Sequence, residues 1–436
     1  MPKLMQISLS SDWRRSLFLI LIVLAPAGLI FGAGKAWLAA HWAASSNPDA
    51  WFRAAKLEPG NAEYWHRLGL LEEWDFERGD PHQAILYLRR ATETNPRSDM
   101  DWMDLASAYE SVGKMAPAQE AFERAKTAYP ASAEVAWRYG SFLVRRGGLS
   151  EAFAEIRRAL ATDPNLTFEA LSECWKASAD VPRILHEVLP AEARYYLTAL
   201  DYFLAHHQAD AALTVWNGLL ALKQRFEMQR AVPLVDELIS EGRFEEAQRA
   251  WQQALVATNW PQYQTGDSSL VFNGGFEGDL LNGGFDWRKD AISGAAFSLD
   301  SGVVHSGEHS LRIAFDGSTN LDFAQFRQWV PVEPSRRYRF QAYVRTEAIS
   351  TDSGIRFALY DVFHPAALQI LTANLLGTHP WSVVETELTT NPETRLLAIV
   401  LRRIPSGKFD NKLRGTVWVD DVALVPISRD IKDGSP

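Results

Sequence analysis

The chain has 436 residues, with 54 acidic and 44 basic side chains, a formal charge of -10 and a single cysteine. That length allows two or three domains with their own cores. One cysteine excludes an intramolecular disulfide or a thiolate metal cluster, and an acidic chain with no basic run excludes nucleic acid as the expected partner.

The first element is apolar. "LFLILIVLAPAGLIFGAG", Leu17 to Gly34, contains no charge, and Lys3, Arg14 and Arg15 precede it. Its length is close to the ~20 residues that cross a bilayer. The basic leading side predicts a cytoplasmic tail over 1–16, a single-pass transmembrane anchor over 17–40, and an extracytoplasmic or periplasmic remainder. A cleaved signal peptide is the alternative, because Gly32, Ala33 and Gly34 offer small residues near a cleavage site. Uninterrupted helical sequence through "KAWLAAHWAA" favours the anchor.

A helical array follows over 45–258. Pro96, Pro130 and Pro164 recur with a period of 34 residues, which signals stacked supersecondary units. In one unit Trp102, Leu105, Ala106 and Tyr109 share a helix face, as do Ala118, Phe122 and Ala125 on the next helix. Tyr139, Gly140, Leu143, Ala152, Ile156 and Ala159 repeat those offsets downstream, and Trp65, Leu68, Gly69, Ala84, Leu88 and Ala91 do so upstream. This pattern resembles a tetratricopeptide repeat array over about Ala50 to Pro164, with degenerate helix pairs capping it. The resemblance implies a protein partner held by the array. Its aromatic residues are expected to pack between helices, and Cys174 to be a buried small hydrophobe.

At "LVFNGGFEGDLLNGGFDW", Leu270 to Trp287, the composition changes to Gly, Asn and Phe. Short runs alternating with period two follow: "HSLRIAF", "RRYRFQAYVR", "IRFALYD", "RLLAIVLRR" and "GTVWVDDVALV". They predict an antiparallel two-sheet sandwich over 268–428. The fold class is therefore multidomain, α then β: a transmembrane helix, an α-solenoid and a C-terminal β-sandwich.

The pieces "NGGFE", "W", "HSGEHSLRI", "QWVPVEPSRRYRFQAYVR" and "VWVDDVALV" stand in the order of jelly-roll carbohydrate-binding modules appended to bacterial xylanases and glucanases. The chain resembles those modules over about Ser268 to Pro426. The resemblance implies a structural calcium ion, carried to Glu277 and to Asp420 or Asp421, with ordinary edge hydrogen bonds as the alternative. It also implies a polysaccharide ligand. Arg339, Gln341, Tyr343 and Arg345 share the outer face of one strand, and Arg356 and Tyr360 are expected on its neighbour. A solvated strand face is the competing reading of the same residues.

Two patterns are rejected. "HSGEH", His305 to His309, matches the H-x-x-E-H zinc-peptidase spacing, but that chemistry needs a helix and this segment holds Gly307 before a strand. "DGSTNLD" lacks the calcium loop's twelfth-position Glu, since Arg327 stands there. Nor is there a G-x-S-x-G elbow or a phosphate loop. The expected function is a non-catalytic envelope scaffold that holds a protein on the array and a glycan on the jelly roll, in surface polysaccharide assembly or export. Its rivals are a protein-interaction adaptor with a purely structural jelly roll and a glycan-active enzyme.

Overall fold

The computed structural model describes residues 11–45, 47–74, 79–260 and 269–427. The chain divides into two compact units, Met1–Pro190 and Ala191–Pro436.

The first unit is helical. It runs α1 (Asp12–Ala43), α2 (Pro48–Leu57), α3 (Ala62–Trp74), α4 (Pro81–Thr94), α5 (Asp99–Ser111), α6 (Met115–Ala128), α7 (Ala133–Arg145), α8 (Leu149–Thr162), α9 (Thr167–Ser178) and α10 (Val181–Glu187). Within α1, Arg15–Ala43 is long and apolar enough to cross a membrane. Pro26 lies inside this helix without ending it. Its last turns are anchored, because Ala39 and Ala43 pack with Ala54, Ala55, Tyr64 and Leu68.

The recurrence of Trp with Pro has a hydrogen-bond explanation. The Trp65 indole N–H donates to the Pro59 carbonyl at 3.0 Å, and the Trp102 indole to that of Pro96 at 3.1 Å. Each bond fixes the start of a repeat to the end of the one before. At Pro130 the carbonyl takes Arg158 instead, at 2.5 Å. Ser98 and Ser132 cap α5 and α7 by accepting from Asp101 and Val135 N–H. Cys174 is fully buried, and burial pushes its thiol up to about 12; it is no nucleophile at neutral pH.

The second unit begins with four helices, α11 (Ala193–Ala205), α12 (Ala209–Ala221), α13 (Val232–Ser240) and α14 (Phe244–Thr258). Among the described residues ten strands follow: β1 (Arg288–Lys289), β2 (Ala295–Asp300), β3 (Ser310–Asp316), β4 (Phe323–Pro331), β5 (Arg337–Ile349), β6 (Arg356–Asp361), β7 (Gln369–Leu371), β8 (Gly377–Thr389), β9 (Leu396–Arg403) and β10 (Arg414–Pro426). They form two antiparallel five-stranded sheets, the first ordered β1-β4-β9-β6-β7 and the second β2-β3-β10-β5-β8. Between them lie Trp287, Leu311, Ile313, Phe326, Tyr338, Phe340, Phe357, Ile399, Val417 and Val419, all buried.

The glycine-rich entry has two jobs. In its first NGGF, a Cβ on Gly274 would come within 2.0 Å of the Val422 carbonyl oxygen. Only glycine permits that approach, which brings Leu270 N–H to Leu424 O at 2.8 Å and Val422 N–H to Gly274 O at 2.9 Å, alongside β10. In the second NGGF, Gly284 has φ +59°, and a Cβ there would lie 2.4 Å from the Trp251 ring on α14. The neighbouring Arg288 is held by Asp236 of α13 at 2.6 Å, and Gly284 N–H donates to the same carboxylate at 2.9 Å. The helices α13 and α14 are thus fastened to the sandwich through the second glycine pair.

Asp286, between these two anchors, is fully buried. Its Oδ2 accepts from Leu281 N–H at 2.7 Å, while Oδ1 has no partner. Burial pushes this carboxyl up from 3.8 to about 7. A raised carboxyl favours the fold only while it keeps its proton, so that contribution is complete below about pH 4 and is lost as pH rises through about 7. The stability gap between Asp286→Asn and the parent is expected to move in favour of Asn by about 3 kcal/mol between pH 5 and 8. Urea unfolding of both proteins at the two pH values checks it.

Candidate functional site

The predicted row on β5 is present on the outer face of the second sheet, but its groups are engaged within the protein. The Arg337 and Arg339 guanidiniums pair with Glu387 of β8 at 2.8 and 3.5 Å. Arg345 lies over the Trp418 ring at 5.5 Å. Tyr343 is covered by the His305 ring, stacked at 3.6 Å between centroids. Gln341 faces Glu385 across the register. The aromatic platform is therefore already occupied by an imidazole.

His305 is held there by the acids expected to bind calcium. Asp420, fully buried, accepts from His305 and Ser306 N–H at 2.9 and 3.1 Å and from Asp421 N–H at 2.8 Å. A bulge in β10 gives Asp421 φ +46° and turns its carboxylate onto the His305 ring at 2.6 Å and the Ser306 hydroxyl at 2.8 Å. Glu277 accepts from Glu308 and His309 N–H at 2.9 and 3.3 Å. The segment HSGEH is thus a loop clamped at both ends by three carboxylates. Burial raises the Asp420 carboxyl above its ordinary value despite the N–H donors that lower it.

These contacts are the ordinary hydrogen bonds that stand as the alternative to calcium. A carboxylate oxygen has a second lone pair, so accepting an N–H does not bar it from a cation. Asp420 has both oxygens so engaged, and Glu277 and Asp421 grip different ends of the loop. A calcium ion shared by the three residues would have to draw on oxygens that these hydrogen bonds already use. Glu277, Glu308 and His309 do bring one ligand atom each within 4.8 Å of one another, but two exposed acids and an imidazole are not a hard-oxygen cage.

Arg356 and Tyr360 correct a second expectation. They do not lie beside β5, because the chain crosses to the other sheet between β5 and β6, and β6 pairs with β9 and β7. Phe357 and Leu359 point into the core, so Arg356, Ala358 and Tyr360 face outward from the first sheet. There they meet a residue that the sequence reading passed over. Trp329 of β4 pairs with Ala398 of β9, and Ala398 pairs with Tyr360. The row across three strands is Trp329, Ala398, Tyr360, with Gln369 of β7 beside Tyr360. The next row is Arg327, Val400, Ala358, Leu371, and Arg402 pairs with Arg356 after it.

The two large rings, both half-buried, pack against Ala398, Ala358 and Val400, which are themselves buried. Strands β4 and β6 are two strand spacings apart, roughly 10 Å, so the two rings stand side by side on the outer face of the first sheet. Arg288 stacks on Trp329 at 4.0 Å, held by Asp236 of α13. Arg327 pairs with Asp290, and Arg402 with Asp322. Alternation in "QFRQWVP", which sets Gln325, Arg327 and Trp329 on one side, was the available signal for Trp329.

In the helical unit, polar side chains link the first helices of successive repeats. His66 of α3 meets Asp104 of α5 at 2.7 Å. Arg138 of α7 donates to Asp104 at 3.1 Å and to Ser107 at 2.7 Å, and Ser141 donates to Glu173 of α9 at 2.8 Å. Burial pushes the Glu73 carboxyl on α3 up to about 7, with Asp104 adding to it.

Residues 102–132 match the family model of the tetratricopeptide repeat. No curated protein matches the chain. Among solved structures it is similar to MamA, at 16% identity over 40% of this chain and 86% of that one, with a TM-score of 0.26. It is similar to a structure titled "Family 16 Carbohydrate Binding Module-2", at 17% identity over 36% of this chain and 99% of that one, TM-score 0.26. It is also similar to the xylan-binding domain CBM22-1 of Paenibacillus barcinonensis Xyn10C, at 14% identity over 37% and 93%, TM-score 0.26. The helical part contains a tetratricopeptide repeat over residues 102–132, and the C-terminal part is an antiparallel two-sheet sandwich.

Proposed function

We propose that the protein is a non-catalytic envelope scaffold. The repeats hold a protein partner, and the sandwich holds a glycan on the outer face of its first sheet. One observation carries the glycan reading: Trp329 and Tyr360 flank Ala398 in a single register row. Sugar rings present apolar faces with equatorial hydroxyls, so the parts of Trp329 and Tyr360 left open beside the Arg288 guanidinium suit them, with Arg327, Arg356 and Gln369 as donors at the sides. Helix α1, uncleaved and with its basic end in the cytoplasm, would anchor the assembly, since its C-terminal turns belong to the core of the first repeat. Surface polysaccharide assembly or export is the process that joins these parts.

A glycosidase needs two carboxylates flanking a cleft. The acids near the two rings, Asp290, Asp322 and Asp236, are each paired with an arginine, an arrangement that supports a binding role. The test is calorimetric titration of the purified protein with a panel of soluble bacterial polysaccharides. Trp329→Ala is expected to weaken binding about thirtyfold, the loss typical of a central aromatic anchor of ~2 kcal/mol. Absence of binding by the folded parent would instead leave an adaptor with a structural sandwich.

A further inference from the structure

The helices of the second unit carry an apolar cavity of about 560 Å³, between the end of α12, the connection that follows it and the last two turns of α14. Leu220, Phe226 and Val256 give it apolar walls, and Val256 is 81% exposed. Lys223 and Arg225, both exposed, are its charged lining residues; no carboxylate lines it. Among the described residues neither cation has an ion pair or a side-chain hydrogen bond. The glutamines beside them are mostly engaged. Gln253 accepts from the Trp216 indole N–H at 2.9 Å, and Gln224 accepts from Ala193 N–H at 2.7 Å and donates to the Ala191 carbonyl at 3.1 Å. What stays open is apolar surface, positive charge and the Gln252 amide, which is poor in the paired donors and acceptors that a sugar needs.

A second cavity, of about 480 Å³, adjoins the first, because Gln252 lines both. The charged residue lining it is again an exposed cation, Arg249. Its neighbour Glu246 is already held by Arg243 at 2.5 Å. Arg249 and Val256 lie roughly 10 Å apart along α14, so the positive charge is spread along a groove. Its sign is opposite to that of the whole chain, which carries -10.

We propose that this groove docks a short acidic segment of a partner protein, with an apolar side chain seated between Phe226 and Val256 and carboxylates beside it received by Lys223 and Arg225. Charge complementarity selects the acidic class and speeds encounter, while the apolar seat supplies the anchor. A lipid headgroup brings its charge to one point; a peptide brings several acids at intervals of about 3.3 Å per residue, which suits cations distributed over two adjoining cavities. The surface lies on α12 and α14, outside the residues that match the repeat model, and is independent of the glycan reading.

The experiment selects from a random peptide display library on the full chain held in phosphatidylcholine nanodiscs. Enriched peptides are then measured on the parent, on the double variant Lys223→Glu, Arg225→Glu, and on Val256→Asp. All three side chains are exposed, so the variants keep the fold. The expected result is a class of peptides with Asp or Glu beside Leu, Phe or Trp, which both variants bind about tenfold more weakly. Peptides that bind parent and variants equally sit elsewhere, and their sole recovery overturns the proposal while leaving the repeats' own partner reading intact. Recovery of basic sequences at this groove, or of no sequence at all, overturns it too. Phosphatidylglycerol vesicles form the last arm. If the double variant abolishes vesicle binding and no acidic peptide depends on it, the groove belongs to a lipid surface and the proposal fails.

Discussion

Replacing Asp420 by Ala is expected to lower the unfolding free energy of the second unit by about 4 kcal/mol. The carboxylate is fully buried and accepts three backbone N–H bonds, from His305, Ser306 and Asp421. Each hydrogen bond to a charged group contributes about 1.5–3 kcal/mol, at the low end here because His305 and Ser306 lie in an exposed loop whose released N–H groups can reach water. A unit of this size should then melt roughly 8–16 °C earlier, at ~2–4 °C per kcal/mol. Asp420→Asn keeps an acceptor oxygen for the loop amides and should recover about half of the loss. If hydrogen bonds alone make the clamp, a chelator leaves the parent's melting temperature unchanged; a large drop on chelation would make calcium the link between Glu277, Asp420 and Asp421. Differential scanning calorimetry of the three proteins, with and without chelator, decides it. Release of the loop would also free Tyr343 from His305, yet binding at the first sheet should persist.

Gly284→Ala is the second large effect. The residue sits at φ +59°, where an L side chain costs about 1–2 kcal/mol. The added carbon would lie 2.4 Å from the Trp251 ring, which is itself buried against Phe272 and Phe285. Overpacking of that kind adds about 1–3 kcal/mol. A total of about 3 kcal/mol, read from urea unfolding, is the expected loss. Because the same loop carries Arg288 onto Trp329, the variant should also weaken glycan binding while folded. Gly275→Ala is a control at the first glycine pair, since a Cβ there meets nothing nearer than 3.8 Å.

Periodicity carried most of the fold. Spacing of 34 between prolines and the shared offsets of Trp, Ala and Phe located the repeats, because each repeat must bury the same face against its neighbour. Alternation located the strands for a similar reason. Sheet membership was not legible. Strands β5 and β6 look like consecutive neighbours in the sequence, yet β6 joins the opposite sheet, and nothing within either strand records which edge it pairs with. Arg356 and Tyr360 were therefore recognised as outward-facing but assigned to the wrong company. Trp329 was hidden because tryptophans abound in the helical half and so drew little weight here.

Loop chemistry was also beyond the pattern. The motif residues Glu277, Asp420 and Asp421 do act together, on one loop, but the loop's own amides occupy them. A sequence shows the acids without showing which way their oxygens turn. Likewise the two NGGF copies look like one glycine-rich linker, whereas the first serves β10 and the second serves α13 and α14.

The most direct test of the central claim is a crystal structure of the protein with an oligosaccharide drawn from whichever polysaccharide it binds. The expected result is a sugar ring against the open sides of Trp329 and Tyr360, on the outer face of the first sheet. A ring seated instead on the second sheet, with His305 displaced from Tyr343, would contradict it.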